Sequence, residues 1–183
     1  MNYQNILLFF MLLSYSYPIY IISENYNENT TTVSNIICNI ENTNIIFSFA
    51  IMGFFTLFYE YNRNDNISFT LISILLITLI GLLNTIDYSL YHLYFASVTF
   101  ISIFPFMFHN LSRIKNFILE LSLILQIIIA LYILLSTNIQ MCFISEEVRK
   151  NLNIFLPETL LIINFGFFYL YLHYLEFIKI KYD

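Results

Sequence analysis

Six long apolar stretches follow one another along this chain, and they constrain its fold more strongly than any other feature. Each is close to the length of about 20 residues that a helix needs to cross the hydrocarbon core of a bilayer. The sequence therefore predicts an all-α, polytopic membrane protein, a six-transmembrane-helix bundle in a single domain over residues 1–183. The predicted helices cover approximately residues 5–22, 45–61, 67–86, 88–108, 117–137 and 154–178.

The composition agrees with a membrane protein and excludes several functions. Hydrophobic residues make up 59% of the chain and charged residues 10%, whereas soluble domains average about 45–50% and about 25%. The net charge of −5 offers no basic surface, so nucleic acid is not an expected partner. The chain lacks glycine-rich phosphate loops and the HExxH metal motif, which excludes the usual soluble enzyme cores. Membrane lipids and other membrane proteins are the expected partners, and we expect no cofactor and no metal.

The distribution of lysine and arginine predicts how the helices cross the membrane. Cationic side chains are enriched in cytoplasmic loops. If the N-terminus is cytosolic, the inner loops and tail hold five cations, and the outer loops hold only Arg149 and Lys150. We therefore predict that both termini are cytosolic. The five inner cations are Arg63, Arg113, Lys115, Lys179 and Lys181.

Two features of the predicted outer loops agree with this orientation. Asn29 begins an Asn-Thr-Thr sequence, an acceptor site for N-glycosylation in a lumenal loop. The two cysteines, Cys38 and Cys142, fall in the first and third outer loops, where an oxidising compartment permits a disulfide. Two unpaired thiols at helix ends are the alternative.

Four polar residues are predicted to lie near the outer face of the membrane: Asn84, Asp87, His92 and Glu158. His92 and Glu158 are each about one helical turn below that face. An intramembrane carboxylate usually pairs with another polar group or faces a wet cavity. We therefore predict that His92 and Glu158 contact each other, directly or through one water. A structural hydrogen bond, a contact with a lipid headgroup and a catalytic role all remain open for this pair.

A second polar layer is predicted near the inner face, where Glu120, His173 and Glu176 lie close to the ends of their helices. His173 and Glu176 are three residues apart and share one helix face. Side chains so near the interface can extend to water. The local spacing of histidines and carboxylates does not support a metal site in either layer.

The last predicted helix contains Glu158, followed by the aromatic run "FGFFYLYLHYLEF" that ends at Glu176 and Phe177, and the fourth begins "HLYFA", with His92 and Ala96. This pattern resembles the DRAM (damage-regulated autophagy modulator) family and its wider six-helix group, which includes a factor for lipid remodelling of GPI anchors. In that family a glutamate opens the last helix and a histidine opens the fourth. The helix count and loop lengths also agree with the family.

The resemblance implies a non-catalytic modulator of autophagy or lysosome function in the endomembrane system, in the lysosome, Golgi or endoplasmic reticulum, or in the plasma membrane. An alternative is a factor of lipid metabolism, of the GPI-anchor remodelling type, that uses His92 and Glu158 as acid–base or headgroup-contacting groups. A third is a small transporter or channel. The sequence thus leaves open whether the chain is an enzyme, and the first of these functions requires no catalysis.

Overall fold

The computed structural model describes residues 3–27, 32–37, 43–85, 90–143 and 153–182, and these form seven helices. Six of the helices are long and apolar enough to cross a membrane, which confirms the predicted all-α six-helix architecture. The seventh, α2, is five residues long and was not predicted. The helices are α1 (Tyr3–Glu24), α2 (Val33–Ile37), α3 (Thr43–Asn62), α4 (Asn66–Leu83), α5 (Leu90–Arg113), α6 (Phe117–Phe143) and α7 (Phe155–Tyr182).

The six long helices pack in a ring. In order around the ring, α1 contacts α3, α3 contacts α4, α4 contacts α5, α5 contacts α6, α6 contacts α7, and α7 returns to α1. A further contact joins α5 and α7 across the ring. The bundle has two ends, which we name by a feature of each. The Arg63 end holds the turn between α3 and α4, and the α2 end holds the short helix α2.

The main core lies between these helices and is built from aromatic and aliphatic side chains. Phe106, Phe168 and Tyr169 are fully buried at its centre. Side chains on the outward faces, such as Phe54 and Ile77, are more than 60% exposed in the isolated chain. An apolar outer surface of this kind is stable in lipid, because no water contacts it there.

Local sequence determines where the helices at the Arg63 end begin. Asn64 has a positive φ of 58°, a conformation that asparagine tolerates better than most residues. Asp65 then caps α4, because its carboxylate accepts a hydrogen bond from the Ser68 amide at 3.1 Å. Asn116 caps α6 in the same way through the Ile118 amide, at 2.9 Å. These caps allow short turns between consecutive helices.

Two glycines allow helices to approach closely. A Cβ atom at Gly81 would overlap the ring of Phe95, so a larger residue there would require the ring or the two helices to shift. A Cβ atom at Gly166 would lie 3.2 Å from the Tyr15 ring. That ring stacks on Tyr169 with centroids 5.4 Å apart, which joins α1 to α7.

Candidate functional site

At the Arg63 end, a buried ionic cluster surrounds the Arg63 guanidinium. Arg63 Nε donates to Glu176 Oε2 at 2.8 Å, and Nη1 contacts Glu60 Oε2 at 3.2 Å. Arg63 also donates to Ser68 Oγ at 2.8 Å and to Asn110 Oδ1 at 2.6 Å. The five planar donors of a guanidinium allow this many simultaneous bonds. A single side chain therefore joins α3, α4, α5 and α7.

The charge of Arg63 is stabilised by its partners. Burial alone would lower the pKa of its guanidinium, but the hydrogen bond to Glu176 and the charges of Glu60 and Glu176 outweigh burial and raise the pKa above its ordinary value. Arg63 is therefore a permanent cation between two carboxylates. The cluster holds one more carboxylate than it holds fixed cations.

His173 lies between the same two carboxylates and is fully buried. Its Nδ1 is 3.3 Å from Glu176 Oε2, and its Nε2 is 3.2 Å from Glu60 Oε1. The second contact is close, but it lies outside hydrogen-bond geometry. The rings of Tyr59 and Tyr169 pack against the imidazole, with centroid distances of 4.2 and 4.3 Å. His173 therefore contacts both carboxylates and belongs to the same buried cluster as Arg63.

Two smaller polar groups fasten pairs of helices. Asp65 accepts from His109 Nε2 at 3.0 Å and forms an ion pair with Arg113, which ties the start of α4 to the end of α5. Between α6 and α7, Asn164 donates to Gln126 Oε1 at 2.6 Å and accepts from Ser122 Oγ at 2.9 Å. Side-chain hydrogen bonds of this kind join helices within membranes.

At the α2 end, the short helix α2 is held from two sides. The Val33 amide donates to Glu158 Oε2 of α7 at 2.7 Å. Ser34 Oγ lies 2.8 Å from Nε2 of His92, which belongs to α5. Nδ1 of the same imidazole is 3.2 Å from Thr85 Oγ1, just after α4. Glu158 of α7 and His92 of α5 therefore hold α2 directly, and Thr85 is linked to it through the His92 ring.

Beneath α2 lies a cavity of about 100 Å³. Its walls are mainly apolar, and they come from α1 to α5 and α7; Leu75, Ala96, Ile103 and Leu161 are among them. Ser34 and Glu158 line the part near α2. Thr99 also lines the wall, and its buried hydroxyl has no hydrogen-bond partner among the described residues. The cavity is therefore amphipathic, with an apolar body and a small number of polar groups.

The residues predicted to lie near the outer face have separate environments. His92 and Glu158 are both buried, and each contacts a neighbouring residue of α2. Their direct contact stays a prediction. Asn84 lies at the end of α4 and is exposed. Its side-chain Nδ2 donates to the Ile80 carbonyl at 2.7 Å. Asn84 is a helix cap and does not belong to the group around α2.

The predicted inner layer also divides. Glu120 is exposed in the first turn of α6. His173 and Glu176, in contrast, are part of the ionic cluster around Arg63. The sequence predicts that side chains in this layer can extend to water, whereas His173 is fully buried, with Glu60 and Glu176 on either side of its ring.

Several predicted residues lie outside the described part of the chain. They are Asn29, Cys38 and Asp87, together with the side chain of Cys142. The glycosylation site and the disulfide therefore stay predictions. Among the described residues, no group of three or more histidine, cysteine or acidic side chains is arranged to hold a metal ion.

The main contacts at both ends of the bundle have little or no signal in the sequence. The sequence predicts Arg63 only as a cytosolic cation, although Glu60, three residues earlier near the end of α3, is a signal for a local ion pair. Ser34 lies 58 residues from His92, and no local spacing indicates that the two side chains meet. Thr99 carried no signal, because threonine is common in transmembrane helices.

The six spans and the polar groups buried between them define the class of this molecule, a multi-pass integral membrane protein. No family model, curated protein or solved structure matches the chain.

Proposed function

We propose that this chain is a multi-pass endomembrane protein that binds a membrane lipid at the α2 end of its bundle. The observation that carries the proposal is the amphipathic cavity beneath α2, with Ser34 and Glu158 on one side and apolar residues below them. Binding sites for small molecules are typically apolar, with a few polar groups that orient the ligand. In a bilayer, the abundant ligand with this division of polar and apolar parts is a lipid.

The size of the cavity limits what enters it. Engineered apolar cavities of about 150 Å³ take up benzene or xenon, and this cavity has a volume of about 100 Å³. One segment of a hydrocarbon chain therefore fits, rather than a whole lipid. On α7, Glu158 and Phe165 both line the cavity, and seven residues of helix span about 10 Å. The cavity can thus hold a segment of an acyl chain that extends from α2 toward the centre of the bundle.

Photo-crosslinking tests lipid binding directly. The full chain is reconstituted in nanodiscs of phosphatidylcholine with a diazirine group in one acyl chain, and the cross-links are mapped by mass spectrometry. We expect cross-links at Ile103 and Leu161, which line the cavity and are 4% and 1% exposed, so bulk lipid does not reach them. Cross-links confined to the exposed side chains of the outer surface would contradict the proposal.

A matched pair of variants on α5 provides the control. Ala96→Phe places a ring at a residue that lines the cavity, whereas Ile101→Phe enlarges a side chain that is 65% exposed on the outer surface. We expect the first to remove the cross-links at Ile103 and Leu161 and the second to leave them unchanged. Equal cross-linking in both variants would mean that the lipid binds elsewhere.

The second candidate function is the non-catalytic, DRAM-type modulation of autophagy that the sequence resemblance implies. It is favoured by the contacts of Glu158 and Glu176, the two carboxylates of the resembling stretch. Each forms an interhelical bond, to Val33 and to Arg63 respectively, which is a structural role. Deletion of the gene separates the candidates. Altered membrane or GPI-anchor lipids favour the first candidate, a protein that acts on a bound lipid, and altered autophagic flux with unchanged lipids favours modulation.

A further inference from the structure

We propose that Ser34 and His92 form a nucleophile–base pair that hydrolyses an ester bond of the lipid bound in the cavity. This rests on the proposed function, because the substrate is the lipid whose chain enters beneath α2. The 2.8 Å distance between Ser34 Oγ and His92 Nε2 falls within the range that joins a nucleophile to its base. The expected substrate class is a membrane lipid with an acyl ester.

The hydrogen bonds around His92 indicate which ring nitrogen carries the proton. Thr85 Oγ1 donates its proton to the Leu82 carbonyl at 2.8 Å and lies 3.2 Å from His92 Nδ1. Because that hydroxyl proton is engaged, Thr85 accepts a hydrogen bond from Nδ1–H. In the neutral ring Nε2 then has the lone pair and accepts from the Ser34 hydroxyl. This tautomer is the one that a general base needs.

The position of the pair agrees with an action on lipid. Ser34 lines the cavity, whereas the His92 ring behind it is 3% exposed. A buried imidazole with fixed partners on both nitrogens is held in one orientation, as a general base must be. The Thr99 hydroxyl, which has no hydrogen-bond partner among the described residues, lines the same cavity and can donate to a polar group of the lipid.

Glu158 acts in this proposal as a positioning residue. Its Oε2 accepts from the amide of Val33, the residue before Ser34. This bond fixes α2 against α7 and so keeps the Ser34 hydroxyl within reach of His92. Glu158→Gln keeps a hydrogen-bond acceptor and should preserve much of the alignment, whereas Glu158→Leu removes it.

The reaction balances with water as the second substrate. Ser34 Oγ attacks the ester carbonyl carbon while its proton moves to His92 Nε2. The bond from that carbon to the alcohol oxygen then breaks, and His92 returns the proton to the leaving alcohol. Water attacks the acyl-serine, again losing a proton to Nε2, and the proton returns to Ser34 Oγ as the carboxylic acid leaves. The products are a lyso-lipid and a fatty acid.

An activity-based probe tests the pair in the full chain. An alkyl fluorophosphonate with a fluorophore is added to the detergent-purified protein, and the labelled residue is identified by mass spectrometry. We expect labelling at Ser34, none in Ser34→Ala, and a labelling rate about 100-fold lower in His92→Gln, because general-base catalysis typically contributes that much or more. Ser97→Ala changes an exposed serine of α5 and should label as the wild type does. Elution of each variant as a single species confirms its folding.

A second measurement separates this proposal from lipid binding. Fatty acid released from phosphatidylcholine nanodiscs is measured alongside the photo-crosslinking described above. Cross-links at the cavity residues without labelling of Ser34 and without released fatty acid would overturn the hydrolase proposal and leave lipid binding intact. If the cross-links are also absent, both proposals fail. Labelling, release and their joint loss in Ser34→Ala would support hydrolysis.

Discussion

Arg63 Nε and Glu176 Oε2 lie 2.8 Å apart, although 113 residues separate them in the chain. The bond joins the turn between α3 and α4 to the last helix of the bundle. Because the side chains are 8% and 18% exposed, water screens this pair only weakly. The ionic cluster at the Arg63 end therefore connects distant parts of the chain, and a substitution there tests its contribution to stability directly.

Arg63→Met should destabilise the protein strongly, because it leaves Glu60 and Glu176 buried without their cation. Removing one partner of a buried ion pair typically costs about 3–5 kcal/mol. Arg113→Met is the control, since that side chain is 50% exposed and its ion pair should contribute less than about 1 kcal/mol. Detergent-mediated unfolding followed by circular dichroism measures the stability of both variants.

The triple variant Arg63→Met, Glu60→Gln, Glu176→Gln should recover much of the stability that Arg63→Met loses. Equal stabilities of Arg63→Met and Arg113→Met would contradict this account.

Asn164→Leu should weaken the contact between α6 and α7. It removes the bonds from Asn164 to Ser122 and Gln126 and leaves those two buried side chains short of partners. Interhelical hydrogen bonds in membranes average about 0.6 kcal/mol, so we expect a loss of about 1–2 kcal/mol from several bonds. Ile163→Leu, at a neighbouring exposed residue, serves as the reference in the same unfolding assay. If Asn164→Leu is as stable as this reference, the hydrogen bonds of Asn164 contribute nothing to stability.

Gly81→Ala should destabilise the α4–α5 pair, because the added methyl group would overlap the Phe95 ring. Overpacking of this kind typically costs about 1–3 kcal/mol. Gly53→Ala is a matched change, since its nearest neighbour would be an ordinary 3.5 Å from the new atom. In thermal unfolding, Gly81→Ala should melt at a lower temperature than Gly53→Ala. Adding Phe95→Leu to Gly81→Ala should restore much of the lost stability. A failure of that rescue would place the strain elsewhere.

Asn29 should be glycosylated when the chain is expressed in a eukaryotic cell, because we predict a lumenal loop there. A second acceptor sequence, Asn-Ile-Ser, begins at Asn66, and a third, Asn-Leu-Ser, begins at Asn110. Asn110 is fully buried and bonded to Arg63, at the end that we predict to be cytosolic. Asn29→Gln should therefore abolish the shift on gels after glycosidase treatment, and Asn110→Gln should not. The reverse result would invert the predicted orientation.

The extent of the long helices was predictable because it depends on local hydropathy. The predicted stretch 117–137 lies within α6, and 154–178 nearly coincides with α7. The helix α2 was missed because five residues are too few for a periodic signal. It is stabilised by tertiary contacts instead, since Val33 and Ile36 are buried against the bundle.

From the sequence, the candidate sites could be predicted only as polar residues at similar depths in the membrane. His92 and Glu158 were expected to contact each other, because polar groups within a membrane need partners, and that contact stays a prediction. The contacts that the structure gives them are with Ser34 and the Val33 amide, on a loop helix far away in sequence. Hydropathy and spacing carry no information on which loop folds back over a bundle, so these contacts required the three-dimensional structure.

The Arg63 cluster has a consequence for the order in which the protein is assembled. During synthesis Arg63 emerges together with Glu60, three residues earlier, which can serve as its first partner. Glu176 and His173 emerge only with α7, after the other five spans have been made. Until then the charges of Arg63 and Glu60 balance one to one, but the guanidinium lacks its partner on α7. Completion of the cluster thus coincides with arrival of the final span, and an unfinished chain differs from a finished one in the donors of Arg63 that have no carboxylate partner.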